Sequence, residues 1–147
     1  MPATVYTMDL RSHSTQTGLV AQALRLFEAA GYDDLINPGD IVAVKIHCGE
    51  WNNTSYLRPV YVRAICDRIK ELGGKPFVCD TTTLTYHATA DRVTAPDLIR
   101  VAERNGFTSA PLGAPFLAAD GFNGTDALRI ALPEGYIFRE AYIATAI

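Results

Sequence analysis

A chain of 147 residues, 48% apolar and 20% charged, has the size and balance of one globular domain, long enough to bury a core and outside the disordered range. Its net charge of −3 and pI near 5.5 argue against a nucleic-acid or anionic-membrane partner. No apolar stretch approaches the roughly 20 residues of a membrane span, and Met1 to Leu10 lacks the basic-then-apolar order of a signal peptide.

Val5 to Leu10 reads as a first strand. From Thr15 or Thr17 to Ala30, Leu19, Ala23, Leu26 and Ala30 recur at helical spacing, and Gly31 supplies the stop. Asn37 to Asp40 is a Pro-Gly turn. It leads into Ile41 to Ile46, a short β-branched run suited to a strand covered on both faces. Pro59 stands at a first helical position, and Val62, Ile65, Cys66 and Ile69 mark the buried stripe of a helix reaching Leu72. Gly73 and Gly74 end it, and Pro76 to Cys79 forms the next strand, running into Asp80 and three threonines.

A second proline-initiated helix covers Pro96 to about Arg104 and closes at Asn105-Gly106. Phe116 to Ala119 suits a further strand. Asp126 to Leu132 and Tyr136 to Ala146, divided by Pro133-Glu134-Gly135, suit an antiparallel pair. The alternation predicts a single α/β domain over 1–147: an open, mostly parallel sheet with helices on both faces and an antiparallel C-terminal extension. Tyr136 to Ile147 is apolar to the last residue, as expected of the N-terminal part of a longer protein. Cys48, Cys66 and Cys79 are odd in number and lack CxxC spacing, which predicts free thiols in a reducing compartment, the cytoplasm.

Ligands of open α/β sheets settle beyond the carboxyl ends of parallel strands. Two predicted strands end in polar residues, one in His47-Cys48-Gly49-Glu50 and the other in Asp80-Thr81-Thr82-Thr83. Imidazole and carboxylate in one crevice either ligate a divalent metal or form a base with its orienting acid. The plainer alternative is that Asp80 caps a turn and His47 bonds a loop carbonyl. Asn53, Thr54 and Arg58 add to the candidate ligand set, with Arg58 entering a helix whose N-terminal amides favour anions. The set is thus His47, Glu50, Asn53, Thr54, Arg58, Asp80, Thr81 and Thr83, with His47, Asp80 and Asp120 as candidate metal ligands. Cys48 beside His47 suggests a nucleophile. Strand alternation sends adjacent side chains to opposite faces, however, so a core thiol is the better reading. His87 and Arg92 occupy a long polar loop suited to a lid, and His13 precedes the first helix. Walker A, GxGxxG, HExxH and GxSxG patterns are absent.

Three strings carry a resemblance: Val44-Lys45-Ile46-His47-Cys48-Gly49-Glu50, Asn53-Thr54-Ser55-Tyr56-Leu57-Arg58-Pro59, and Gly74 through Asp80 to Leu84. With Arg92, Ala102, Asn105-Gly106-Phe107 and Asp120-Gly121 to Asp126, they resemble the domain-of-unknown-function 362 family, also called uncharacterised Fe–S centre proteins. The resemblance spans roughly Lys45 to Asp126. It implies a redox-associated protein whose [4Fe–4S] clusters belong to a C-terminal region outside this chain. Thr85, Tyr86 and His87 stand where members typically have Tyr then Gly, and Leu98 where they often have His, so that histidine has no counterpart here.

Two main expectations follow. One is a metal or small anionic ligand held at the strand ends. The other is a non-catalytic scaffold that forms homo-oligomers or pairs with a missing C-terminal half. A weaker third is a hydrolase or transferase with His47 as base and Arg58 on a phosphorylated substrate.

Overall fold

The computed structural model describes residues 4–53, 55–83 and 91–147. A capping box opens the chain's first ordered turn. The Ser14 side chain accepts from the Thr17 amide while the Thr17 hydroxyl accepts from the Ser14 amide, closing a 3₁₀ turn at Thr15–Thr17. Gly18 is extended and separates this turn from α1, Leu19–Ala29. The helix expected from Thr15 or Thr17 is therefore two pieces. A further 3₁₀ turn, Tyr32–Leu35, follows Gly31, whose φ of +78° suits glycine.

The strand expected at Val5 to Leu10 is not formed. The carboxylate of Asp9 instead accepts from the amide and guanidinium of Arg11, and such local side-chain bonds compete with a strand ladder.

β1 (Ile41–Lys45), α2 (Pro59–Glu71), β2 (Lys75–Asp80), α3 (Ala95–Arg104), α4 (Ser109–Leu112) and β3 (Phe116–Ala118) build the main layer. The strands run parallel in the order β1-β2-β3, with Val44 opposite Val78 and Val78 opposite Phe116. This is the expected α/β architecture with a parallel sheet. α2 buries Val62, Cys66 and Ile69, one residue per turn along its inner stripe. It ends in a Schellman motif, in which the Gly73 amide bonds the Lys70 carbonyl and the Gly74 amide bonds that of Ile69. Thr94 caps α3, which buries Leu98, Val101 and Ala102.

One apolar cluster joins these helices to the sheet. Val62, Cys66, Leu98, Val101 and Leu112 gather with Val78, and Val44 and Phe116 pack against them. Whereas the alternation suggests helices on both faces, α2, α3 and α4 meet the same face. A strand order that advances monotonically through right-handed crossovers has this consequence. α4 was not legible in the sequence. It is a single turn that seats the fully buried Leu112.

β4 (Ala127–Ala131) and β5 (Glu140–Ala144) form the expected antiparallel pair, Leu128 facing Ile143. Backbone bonds tie it to the main layer. The Asp126 amide donates to the Asp120 carbonyl, and the Ala146 amide to that of Ala119.

Candidate functional site at the strand ends

β2 delivers Asp80 to the carboxyl edge of the sheet, where it is 2% exposed. Four donors surround its carboxylate. Lys45 Nζ (2.7 Å) and the Thr81 amide (2.8 Å) reach Oδ1, and the Cys48 amide (3.0 Å) and Arg92 Nη1 (3.0 Å) reach Oδ2. Arg92, itself 6% exposed, extends its other terminal nitrogen to Glu50 at 3.3 Å. The Asp80–Arg92 pair is thus buried, while Lys45 and Glu50, which complete the charge balance, reach solvent at 43% and 49% side-chain exposure. Burial pushes the Asp80 carboxyl up, but its bonds from Lys45, Cys48 and Thr81 and the Lys45 charge outweigh this and hold it below the ordinary carboxylate value. Arg92 Nε is buried without an acceptor among the described residues.

Neighbouring residues lock the loops around this network. The Thr82 amide and hydroxyl donate to Asp120, 7% exposed, with the hydroxyl bond at 2.6 Å. The Thr83 amide donates to the Arg92 carbonyl at 2.9 Å. Asn105 at the end of α3 donates to the Cys48 carbonyl (2.9 Å). Arg104 donates to the Trp51 carbonyl (2.6 Å) and lies 4.0 Å from that indole's ring centre, a cation–π contact. Asp91 accepts from the Trp51 amide. Gly49 has a φ of +88°, and a Cβ there would sit 2.6 Å from Asn105 Nδ2 and from a Tyr56 ring carbon, so the close approach requires glycine.

Apart from the Thr81 amide, none of the remaining described candidates bonds a side chain of the charged network. His47 is exposed, and its Nδ1 accepts from the Gly49 amide at 2.9 Å. Arg58 is exposed at the N-cap of α2 and joins no ion pair among the described residues. Asn53 turns its loop by accepting from the Ser55 amide at 2.8 Å. Thr81 contributes its amide. Thr54 and His87 lie outside the described residues, and His13 is exposed before α1.

The candidate ligand set left out Lys45, Thr82, Asp91, Arg104 and Asn105. Thr82 stood in the polar run after Asp80, and Lys45 was a single cation closing an apolar strand. The other three depend on which loops come to face one another.

Burial pushes the Cys48 thiol up to about 12, with the Asp80 charge adding to it, and Cys66 up to about 11; Cys79 is also raised by burial. All three are free and fully buried. Cys48 is a protonated core thiol, as the alternation suggested, and not an activated nucleophile.

The sequence matches the family described as Domain of unknown function (DUF362) over residues 42–147, from the second residue of β1 onward. The chain belongs to the DUF362 family. No curated protein and no solved structure matches it.

In this DUF362 chain an Fe–S cluster does not fit the described residues, because its three cysteines are buried, protonated and not gathered into one group. Nor, among the described residues, does any group of three His, Cys, Asp or Glu side chains stand ready to hold a metal ion. The candidate set His47, Asp80 and Asp120 is divided in the fold. His47 is exposed, Asp80 is committed to Lys45 and Arg92, and Asp120 is committed to Thr82. Leu98, at the position where members often carry His, is fully buried in the apolar cluster. No helix among the described residues is long and apolar enough to cross a membrane.

Proposed function

We propose that this DUF362 chain binds a small anionic ligand at the carboxyl edge of its parallel sheet, with Arg58 and the N-terminus of α2 as the anion contact and His47 beside them. The observation that carries this reading is the start of α2. Its first turn has no acidic residue and no side-chain cap, and the exposed Arg58 stands at that cap without an ion pair among the described residues. Helix amides and a guanidinium together favour phosphate or carboxylate. Asp80, Lys45, Arg92 and Glu50 form a bonded network at the same edge of the sheet.

A divalent metal is less well supported, since reaching Asp80 means displacing two cations. Three protonated, unpaired thiols suit a reducing compartment such as the cytoplasm. Titrating the protein with inorganic phosphate while following its melting temperature tests the reading, because a ligand of the folded state raises it. The expected result is a saturable rise that Arg58→Ala removes. An equal rise in Arg58→Ala, or none in the wild type, refutes it. Elemental analysis that finds a stoichiometric metal lost in Asp80→Ala favours the metal instead.

The β4–β5 hairpin supports a second reading, a scaffold that associates with a second copy. Ile137 is 95% exposed and Phe138 74%, at the tip of a two-stranded ribbon whose Leu128 is 61% exposed. Clusters of this kind mark interaction surfaces.

A further inference from the structure

β1 is an edge strand. Its Ile46 end donates an amide to the Cys79 carbonyl of β2 at 3.0 Å. Amides alternate along a strand, so those of Val42 and Val44 also face β2, and those of Ala43 and Lys45 face away from it. Unpaired edges invite another strand.

A segment with strand patterning lies beside this edge. Met8 and Leu10 line a groove of about 380 Å³ together with Leu19 and Ala23 of α1, Val44 of β1 and Ile46 just after it. Val5 and Leu10 are nonetheless 80% and 72% exposed, and residues 4–10 pair with no strand among the described residues. The segment's far end is anchored. Gln22, 8% exposed on α1, donates through Nε2 to the Arg11 carbonyl (3.2 Å) and to that of Thr17 (2.7 Å).

Chain topology selects the side of approach. The groove places α1 against Val44 and Ile46, the sheet face that α2 also covers. A strand–helix–strand crossover is right-handed almost without exception, and β1–α2–β2 already advances from β1 toward β2. A connection from residues 5–10 through α1 to β1, with α1 on that same face, must then start on the side of β1 away from β2. That is the free edge, and the pairing is parallel.

We propose that Val5 to Leu10 docks along the free edge of β1 as a fourth parallel strand, hinging beyond the Gln22 anchor and giving the order segment-β1-β2-β3. Parallel strands finish at the same edge, so docking brings the Leu10 end of the segment to the rim that holds His47. This consequence for ligand binding rests on the anion reading above; the docking does not.

Amide hydrogen exchange of the full chain, resolved by residue, tests the docking without any ligand. Ala43 and Lys45 are expected to exchange about a hundredfold or more slowly than in an unstructured peptide. Thr7→Pro and Met8→Pro are compared in parallel, because adjacent amides point to opposite sides and one of the two prolines removes a donor facing β1. That variant is expected to release Ala43 and Lys45 while Val44 and Ile46, bonded to β2, stay protected. Peptide-like exchange of Ala43 and Lys45 in the wild type overturns the proposal, whatever the variants do. So does protection unchanged in both variants. Protection that rises with protein concentration assigns the edge to a second copy and overturns it too.

Discussion

Asp80 has little freedom to be anything but a carboxylate. Removing it leaves Arg92, with 8% side-chain exposure, as a buried cation without its closest partner. Breaking a buried pair from one side costs about 3–5 kcal/mol, so Asp80→Ala is expected to lose that much in urea unfolding; a loss below about 1 kcal/mol would place the network outside the stabilising core. The sign of the pH dependence follows from the lowered carboxyl. The folded value lies below the unfolded one, so the contribution is complete above about pH 4 and is lost as pH falls through the folded value. Asp33, bonded by Arg68, and Asp97, bonded by Thr94, are lowered as well and share this acid limb. The diagnostic quantity is therefore the difference between wild type and Asp80→Asn, expected to shrink on acidification; a constant difference would contradict the assignment. The thiols give the opposite limb. Their folded values are raised, so the unfolded chain ionises first and stability falls above about pH 8.5. For the same reason iodoacetamide at neutral pH is expected to label none of Cys48, Cys66 and Cys79 in the native protein and all three in urea, as mass spectrometry would read out; rapid native labelling of Cys48 would restore the nucleophile reading.

Helix α3 couples fold and site more directly than its length suggests. Its inner face supplies Leu98, Val101 and Ala102 to the core, and its last turn and C-cap, Arg104 and Asn105, grip the loop after β1. Loosening its start should therefore register at the far rim. Thr94→Ala removes the hydroxyl that accepts from the Asp97 amide and donates to the Asp97 carboxylate at 2.6 Å, an expected loss of about 1 kcal/mol. Gly49→Ala strains a left-handed backbone against Asn105 and Tyr56, and about 1–3 kcal/mol is expected from chemical denaturation. If Gly49→Ala proves neutral, the loop is not held as described. Proline-initiated helices, glycine stops and β-branched runs were all legible in the sequence because each acts within a few residues of itself. Asp80 and Glu50 were legible as strand-end residues for the same reason. What stayed hidden is non-local. Arg92 read as a lid residue because nothing near it in sequence reports the carboxylate it meets. His47 read as the partner of Asp80, yet Lys45 and Arg92 took that place. The segment at Val5 to Leu10 has a strand's pattern but, without a ladder partner, adopts local bonds.

The molecule as a whole divides its apolar surface unevenly. The parallel layer hides Phe107, Leu98 and Leu112 completely, whereas the hairpin exposes Tyr136, Ile137, Phe138 and Tyr142. A two-stranded ribbon is marginal in water by itself. Arg129 pairs with Glu140 across it, an exposed contact that adds little. Its backbone anchors at Asp120 and Ala119 hold its base but leave the tip uncovered. If a second copy covers that tip, sedimentation velocity should show the weight-average mass rising with concentration, and Ile137→Glu with Phe138→Glu should return the chain to monomer. The folded layer provides the control, because both residues are exposed and their replacement costs the core nothing. The double variant should keep its unfolding free energy in urea within about 0.5 kcal/mol of wild type, as exposed substitutions do. A wild-type chain that stays monomeric at the highest concentration tested would remove the scaffold reading and leave the strand-end site as the molecule's principal feature.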